Sequence, residues 1–255
     1  MNLATRLPIH RSATLPLLTL AAVLVVLVVP SRAQGAAGTI DLSWNACSPL
    51  VADINPAGPG PISLYASVSG HSDPHEGYEV WGYVGDAKDL LPDAWAFQEG
   101  GCQGPSRFRV DHLPPAEVAD KCPAFQGDEL SLQIKSFHLA TPASGFPQTM
   151  GNFVIANVYP SDGGIVNPDP NQRYFLARFL FDHTNSVAGA STGEQCGGYE
   201  QSMCLFLAPA RCNYVYQGIE SRFTPGQMFV TFRGECKSVP ANAATWGQIK
   251  GQYRR

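Results

Sequence analysis

The sequence predicts an all-β protein, an antiparallel two-sheet β-sandwich with a short carboxyl-terminal helix. Three observations lead there. Short stretches of strict apolar and polar alternation recur along the chain, Gly, Pro, Asn and Asp separate them, and helical periodicity is absent until the end. Strands that follow one another without intervening helices pair antiparallel, which leads to a sandwich or a barrel.

The strands can be taken in order. Ile40, Leu42 and Trp44 point one way and Asp41 and Ser43 the other. After a proline-rich loop over 53–61, Ile62, Leu64, Ala66 and Val68 alternate with Ser63, Tyr65, Ser67 and Ser69. In 78–84, Val80, Gly82 and Val84 oppose Trp81 and Tyr83. Phe108 and Val110 mark a short strand, and 114–121 has room for a helical turn, since proline suits a helix start. Further strands are expected at 130–135, 153–159, 174–181, 204–207, 214–216 and 228–232. Nine or ten strands suit a sandwich of the immunoglobulin-like or jelly-roll kind. At the end, Thr245 can cap a helix that places Trp246, Ile249 and Tyr253 on one face, with Lys250, Arg254 and Arg255 at its carboxyl end. The expected organisation is a signal peptide over 1–33, a sandwich domain over 34–240 and a helical segment over 241–255.

The amino terminus sets the compartment. Arg6, His10 and Arg11 precede an uncharged apolar run, Pro16 to Val29, and Ser31-Arg32-Ala33 supplies small residues for cleavage before Gln34. The run has 14 residues, short of the roughly 20 that cross a bilayer core, so removal is favoured over a retained anchor. The protein is thus expected to be secreted, periplasmic or at the cell surface, with no stable membrane insertion after cleavage. The mature 222 residues would carry 14 basic against 21 acidic side chains. That balance, with no basic run, argues against a nucleic-acid partner.

Seven cysteines remain: Cys47, Cys102, Cys122, Cys196, Cys204, Cys212 and Cys236. Outside the cytosol, three disulfides and one free thiol is the simplest account, and no spacing here matches a zinc site. The spacing leaves the connectivity open, and the pairing expected is Cys102 with Cys122 and Cys196 with Cys204.

Motifs that carry chemistry are sparse. His71, Asp73 and His75 share one loop, 70–77, and could bind a transition metal, although a solvated hairpin loop is the plainer reading. Asp162, Asn167 and Asp169 offer oxygen ligands for Ca2+, but an EF-hand would need glycine and glutamate where Gln172 and Arg178 stand. No other cofactor is expected. Asp111-His112 and Asp182-His183 are adjacent pairs that would face opposite sides of a strand and lie exposed at strand ends. No G-x-S-x-G or H-E-x-x-H motif occurs. Trp81, Tyr83 and Trp95 could stack on sugar rings if exposed, or fill the core.

Four stretches taken together add a resemblance: Ile40-Asp41-Leu42-Ser43-Trp44-Asn45-Ala46-Cys47, Pro92-Asp93-Ala94-Trp95-Ala96-Phe97, Phe181-Asp182-His183 ahead of Cys196-Gly197-Gly198, and the closing Thr245-Trp246-Gly247-Gln248-Ile249-Lys250-Gly251-Gln252-Tyr253-Arg254. The set resembles a group of exported proteins of GC-rich environmental bacteria that look like cohesin-type or immunoglobulin-like sandwiches. The resemblance implies the fold and no catalytic residue. The expectation is a non-catalytic secreted or surface module presenting loops such as 70–77 and 161–171 to an extracellular protein or glycan. A secreted polysaccharide hydrolase and a structural envelope or filament subunit are the alternatives.

Overall fold

The computed structural model describes residues 36–85, 91–125, 132–139, 150–158, 168–191 and 195–234. The expected signal peptide and carboxyl-terminal helix lie outside them, as do Cys236, Asp162 and Asn167. Among the described residues, no helix is long and apolar enough to cross a membrane.

Alternation becomes strands where it was expected, with extra short strands at the edges. They are β1 (Ala37–Trp44), β2 (Asp53–Ile54), β3 (Pro61–His71), β4 (Gly77–Val84), β5 (Phe108–Asp111), β6 (Leu132–Leu139), β7 (Gly151–Val158), β8 (Arg173–Asp182), β9 (Met203–Tyr216), β10 (Ile219–Arg222), β11 (Thr224–Pro225) and β12 (Phe229–Phe232). A single helical turn, α1 (Ala116–Ala119), follows Pro114 and Pro115.

Two sheets result. One runs β11-β1-β3-β8-β5, and the other β2-β12-β9-β4-β7-β6 with β10 hairpinned onto β9. The chain is therefore a two-sheet β-sandwich. Most pairings are antiparallel, but β1 with β11 and β2 with β12 are parallel. The departure has a simple cause: residues 224–232 run alongside β1 and then cross from the first sheet to the second, with Gly226 N–H donating to Ile40 O and Leu42 N–H to Gln227 O on the way. Strands that change sheet in this way make the corners of a sandwich.

The inner faces interdigitate. Ile40, Leu42, Trp44, Leu64, Val68, Phe179 and Phe181 from one sheet meet Val80, Val84, Phe153, Ile155, Leu205, Val230 and Phe232 from the other, all buried. The fit is close. A Cβ on Gly82 would lie 2.1 Å from the Phe153 ring, so β4 carries glycine where a neighbouring aromatic fills the layer. Strand β9 is one strand where two were expected. Pro209 interrupts the alternation, and the register shift opposite Val80 and Gly82 takes up the extra residues as a bulge.

A second, smaller core sits on the outer face of the five-stranded sheet, where Tyr65 and Phe175 are covered by Cys47, Val118 and Cys122. It explains the disulfides. Cys47 bonds Cys122, fastening the loop after β1 to the end of α1, and Cys102 bonds Cys196. The expected pairings, Cys102 with Cys122 and Cys196 with Cys204, are therefore both wrong, because α1 docks on the sheet and takes Cys122 to Cys47. Cys204 is also disulfide-bonded. The odd cysteine is Cys212, a buried free thiol on the inner face of β9 and not a bridge residue.

Candidate functional site

The loop 70–77 is not solvated. Gly70 takes the positive φ of 70° that turns the chain, and both histidines then fold inward and are fully buried. His71 Nδ1 lies 2.7 Å from Ala37 O. His75 stacks on Phe125, and the Asp73 carboxylate accepts a hydrogen bond from the Tyr214 hydroxyl. The structure thus brings His71, Asp73 and His75 into one region as a packed cluster, with Asp73 committed to Tyr214. Among the described residues, no group of three or more His, Cys, Asp or Glu side chains is arranged to hold a metal ion. Asp169 Oδ1 instead accepts from the Asn171 backbone N–H at 2.8 Å, an ordinary turn closure.

In the two acid–histidine pairs, arginines take the acids. Asp111 accepts from Arg178 Nε at 2.9 Å, and Asp182 accepts from Arg107 at 2.9 Å. Far from being exposed at a strand end, His183 is fully buried among Trp95, Phe97, Tyr199 and Phe232. That burial drives its pKa down to about 3.

The three aromatic candidates divide. Trp95 plugs the core against Phe181 and Phe232, with no exposure. Trp81 and Tyr83 lie on the outer face of the seven-stranded sheet, because their neighbours Val80, Gly82 and Val84 face inward. There the register sets Tyr83 opposite Phe206 on β9 and Phe206 opposite Phe229 on β12. The result is an aromatic row across three strands. Tyr83 is buried and packs on Phe206 at 5.6 Å between ring centroids, while Phe229 at the far end is 52% exposed.

Trp81 flanks the row half-buried. Its Nε1 donates to Glu79 Oε2 at 3.1 Å, and the exposed Arg211 guanidinium lies 4.5 Å over its ring. Asn213 Nδ2 donates to both Glu79 and Glu220, tying two carboxylates into the rim of the same face. Sequence reading found Trp81 and Tyr83 but missed Phe206, Phe229 and Arg211. Those three lie on strands more than a hundred residues away, and only strand register brings them together.

No protein-family model and no curated protein sequence matches the chain. Solved structures similar to it include cohesin domains. The solution structure of CaCohA2 from Clostridium acetobutylicum is 15% identical, covering 78% of this chain and 90% of that one with a TM-score of 0.37. A non-cellulosomal cohesin from Archaeoglobus fulgidus is 9% identical, covering 85% and 99% with a TM-score of 0.32. A type I cohesin–dockerin complex from Clostridium thermocellum matches at 8% identity over 79% and 96%, with a TM-score of 0.34. At these values, no residue, ligand or partner carries across.

Proposed function

We propose that this chain is a non-catalytic, exported binding module whose partner is a protein that docks on the outer face of the seven-stranded sheet. The observation that carries the reading is exposed Phe229 and half-buried Phe206, backed by buried Tyr83, with half-buried Trp81 and exposed Arg211 beside them. Aromatic residues and arginine dominate the energetic centres of protein interfaces, and a polar rim such as Glu79, Asn213 and Glu220 surrounds such centres. A sugar would need an open ring face. Trp81 has its ring beneath Arg211, Tyr83 is buried against Phe206, and Trp95 is in the core. The presenting element is therefore the sheet face and not the loop 70–77. The disulfides support export, since such bonds persist outside the cytosol.

The test places a photo-crosslinking residue at Phe229 in protein exported by its host, with the same residue at exposed Glu117 on the other side as control. A discrete protein adduct at 229 that Arg211→Glu suppresses and the 117 control lacks is the expected result. Retention of the wild-type chain on cellulose, chitin or host peptidoglycan, abolished by Trp81→Ala, would overturn it in favour of a glycan. Equal adducts at both positions would also overturn it.

A further inference from the structure

The two sheets approach each other along one side, and both strands there are terminal. β5 ends the five-stranded sheet and β6 ends the seven-stranded one, and among the described residues each pairs on one side only, with β8 and β7. Between them lies a cavity of about 300 Å3. Phe108, Val110 and Phe137 give it an apolar floor, and Arg109, Lys135 and Ser136 give it a polar wall.

Its charge has one sign. Both ionisable residues that line it are cationic, on a chain whose net charge is −4. Arg109 meets Asp111 at 3.1 Å, but that carboxylate also accepts from Arg178 at 2.9 Å, so one acid serves two guanidinium groups. Lys135 reaches across the gap to donate to Val110 O at 3.0 Å, a main-chain acceptor at the free edge of β5. A lysine laid over an edge strand is how sheets protect an edge that would otherwise take another strand.

We propose that this cleft is a strand-addition site for an extended, carboxylate-rich peptide segment. A segment pairing with the outer edge of β6 gains main-chain hydrogen bonds along an eight-residue strand. Its side chains alternate, so every second one falls on the side of β6 that carries Lys135 and Phe137. A carboxylate at such a position takes Lys135 from Val110 O through a charge-assisted bond, and the exposed Arg109 guanidinium on the alternate face of β5 adds to the positive potential of the edge. The volume is at the lower end of the roughly 300–1,000 Å3 range of ligand pockets, enough for one or two side chains while the peptide main chain stays on the edge. The site lies on the sandwich's side and is independent of the aromatic sheet face.

The probe is a blocked peptide of alternating Glu and Val, as long as β6, titrated into the full exported chain and read by fluorescence anisotropy. Saturable binding that weakens with salt, falls about tenfold in Lys135→Glu and in Arg109→Gln, and disappears for the matching Lys and Val peptide is expected. N-methylation of alternate peptide nitrogens should abolish it. Arg109 is 59% exposed, so Arg109→Gln keeps the test intact should the β6 variant fail to fold. Absence of saturation, equal affinity for the folded variants, undiminished binding of the N-methylated peptide, or full competition by free glutamate or phosphate would each overturn strand addition.

Discussion

The imidazole of His75 lies flat against the ring of Phe125, centroids 3.8 Å apart and planes 4° from parallel, while His71 meets it edge-on at 5.3 Å. Burial is the main reason the His75 pKa falls to about 3, and the neighbouring His71 lowers it further. His71 is itself lowered by burial, with Ala37 O and the Asp73 carboxylate pulling the other way. His183 is held near 3 by its aromatic cage. An unfolded histidine titrates near about 6.5, so the unfolded chain takes protons that the folded one refuses. This stability is complete above that value and, for His75 and His183, is lost progressively as the pH falls from there toward about 3, at about 1.4 kcal/mol per pH unit each. Urea midpoints measured from about pH 7 down to about pH 5 should fall, and His75→Phe should flatten the slope. A flat wild-type profile would contradict the account.

Burial raises the Cys212 thiol to about 12, and its contact is Trp81 O at 3.8 Å. Thiolate is the reactive form, so the folded protein should not react with a thiol reagent at neutral pH. One equivalent should appear on unfolding without reductant. Rapid labelling of the native chain at Cys212 would show that β9 opens.

Non-reducing peptide maps should recover Cys47 with Cys122 and Cys102 with Cys196, and Cys212 as a free thiol. The bridges span sequence separations of 75 and 94. On a chain-entropy basis each contributes about 4.5 kcal/mol. Replacing Cys102 and Cys196 by alanine should lower the melting temperature by well over 5 °C, since about 1 kcal/mol corresponds to a few degrees in a domain of this size. A shift within error would mean that the loop-closure account fails here.

Asp41 is almost fully buried on the outer face of β1. Its Oδ2 accepts from Arg173 Nη1 at 2.7 Å and its Oδ1 from the Gln227 backbone N–H at 2.6 Å. Removing the carboxylate leaves Arg173 without its acid and Gln227 without its acceptor. Asp41→Ala should cost about 3–5 kcal/mol by denaturant titration, and the double variant Asp41→Ala, Arg173→Ala less than the sum of the singles. Additive costs would show that the pair is not coupled. Gly226→Ala should be destabilising too, because a Cβ there would lie 2.2 Å from Asp41 Oδ1.

The inner faces were legible because alternation reports directly which residues a strand buries. Ile40, Leu42, Trp44, Val80 and Val84 all face as their spacing predicts. Less legible was what covers the outer faces. Asp41 and Ser43 do point away from the core, yet both are buried: Asp41 meets Gln227, nearly two hundred residues later, and Ser43 Oγ accepts from the Val51 backbone N–H. His71 and His75 looked solvated because glycines and acids flank them, but Phe125, Tyr214 and Phe223 close over the loop. The aromatic row was half visible for the same reason: Trp81 and Tyr83 share a strand, whereas Phe206 and Phe229 reach them only through register.

The parallel run of residues 224–232 beside β1 and β2 also has a mechanical meaning. β1 starts at one pole of this seam and β12 finishes at the other. Tension between them pulls β1 and the last strands lengthwise past each other. The hydrogen bonds from Thr39 to Ile54, and the Asp41 carboxylate among them, are then strained together in shear instead of parting one at a time, the geometry in which a sheet best resists force.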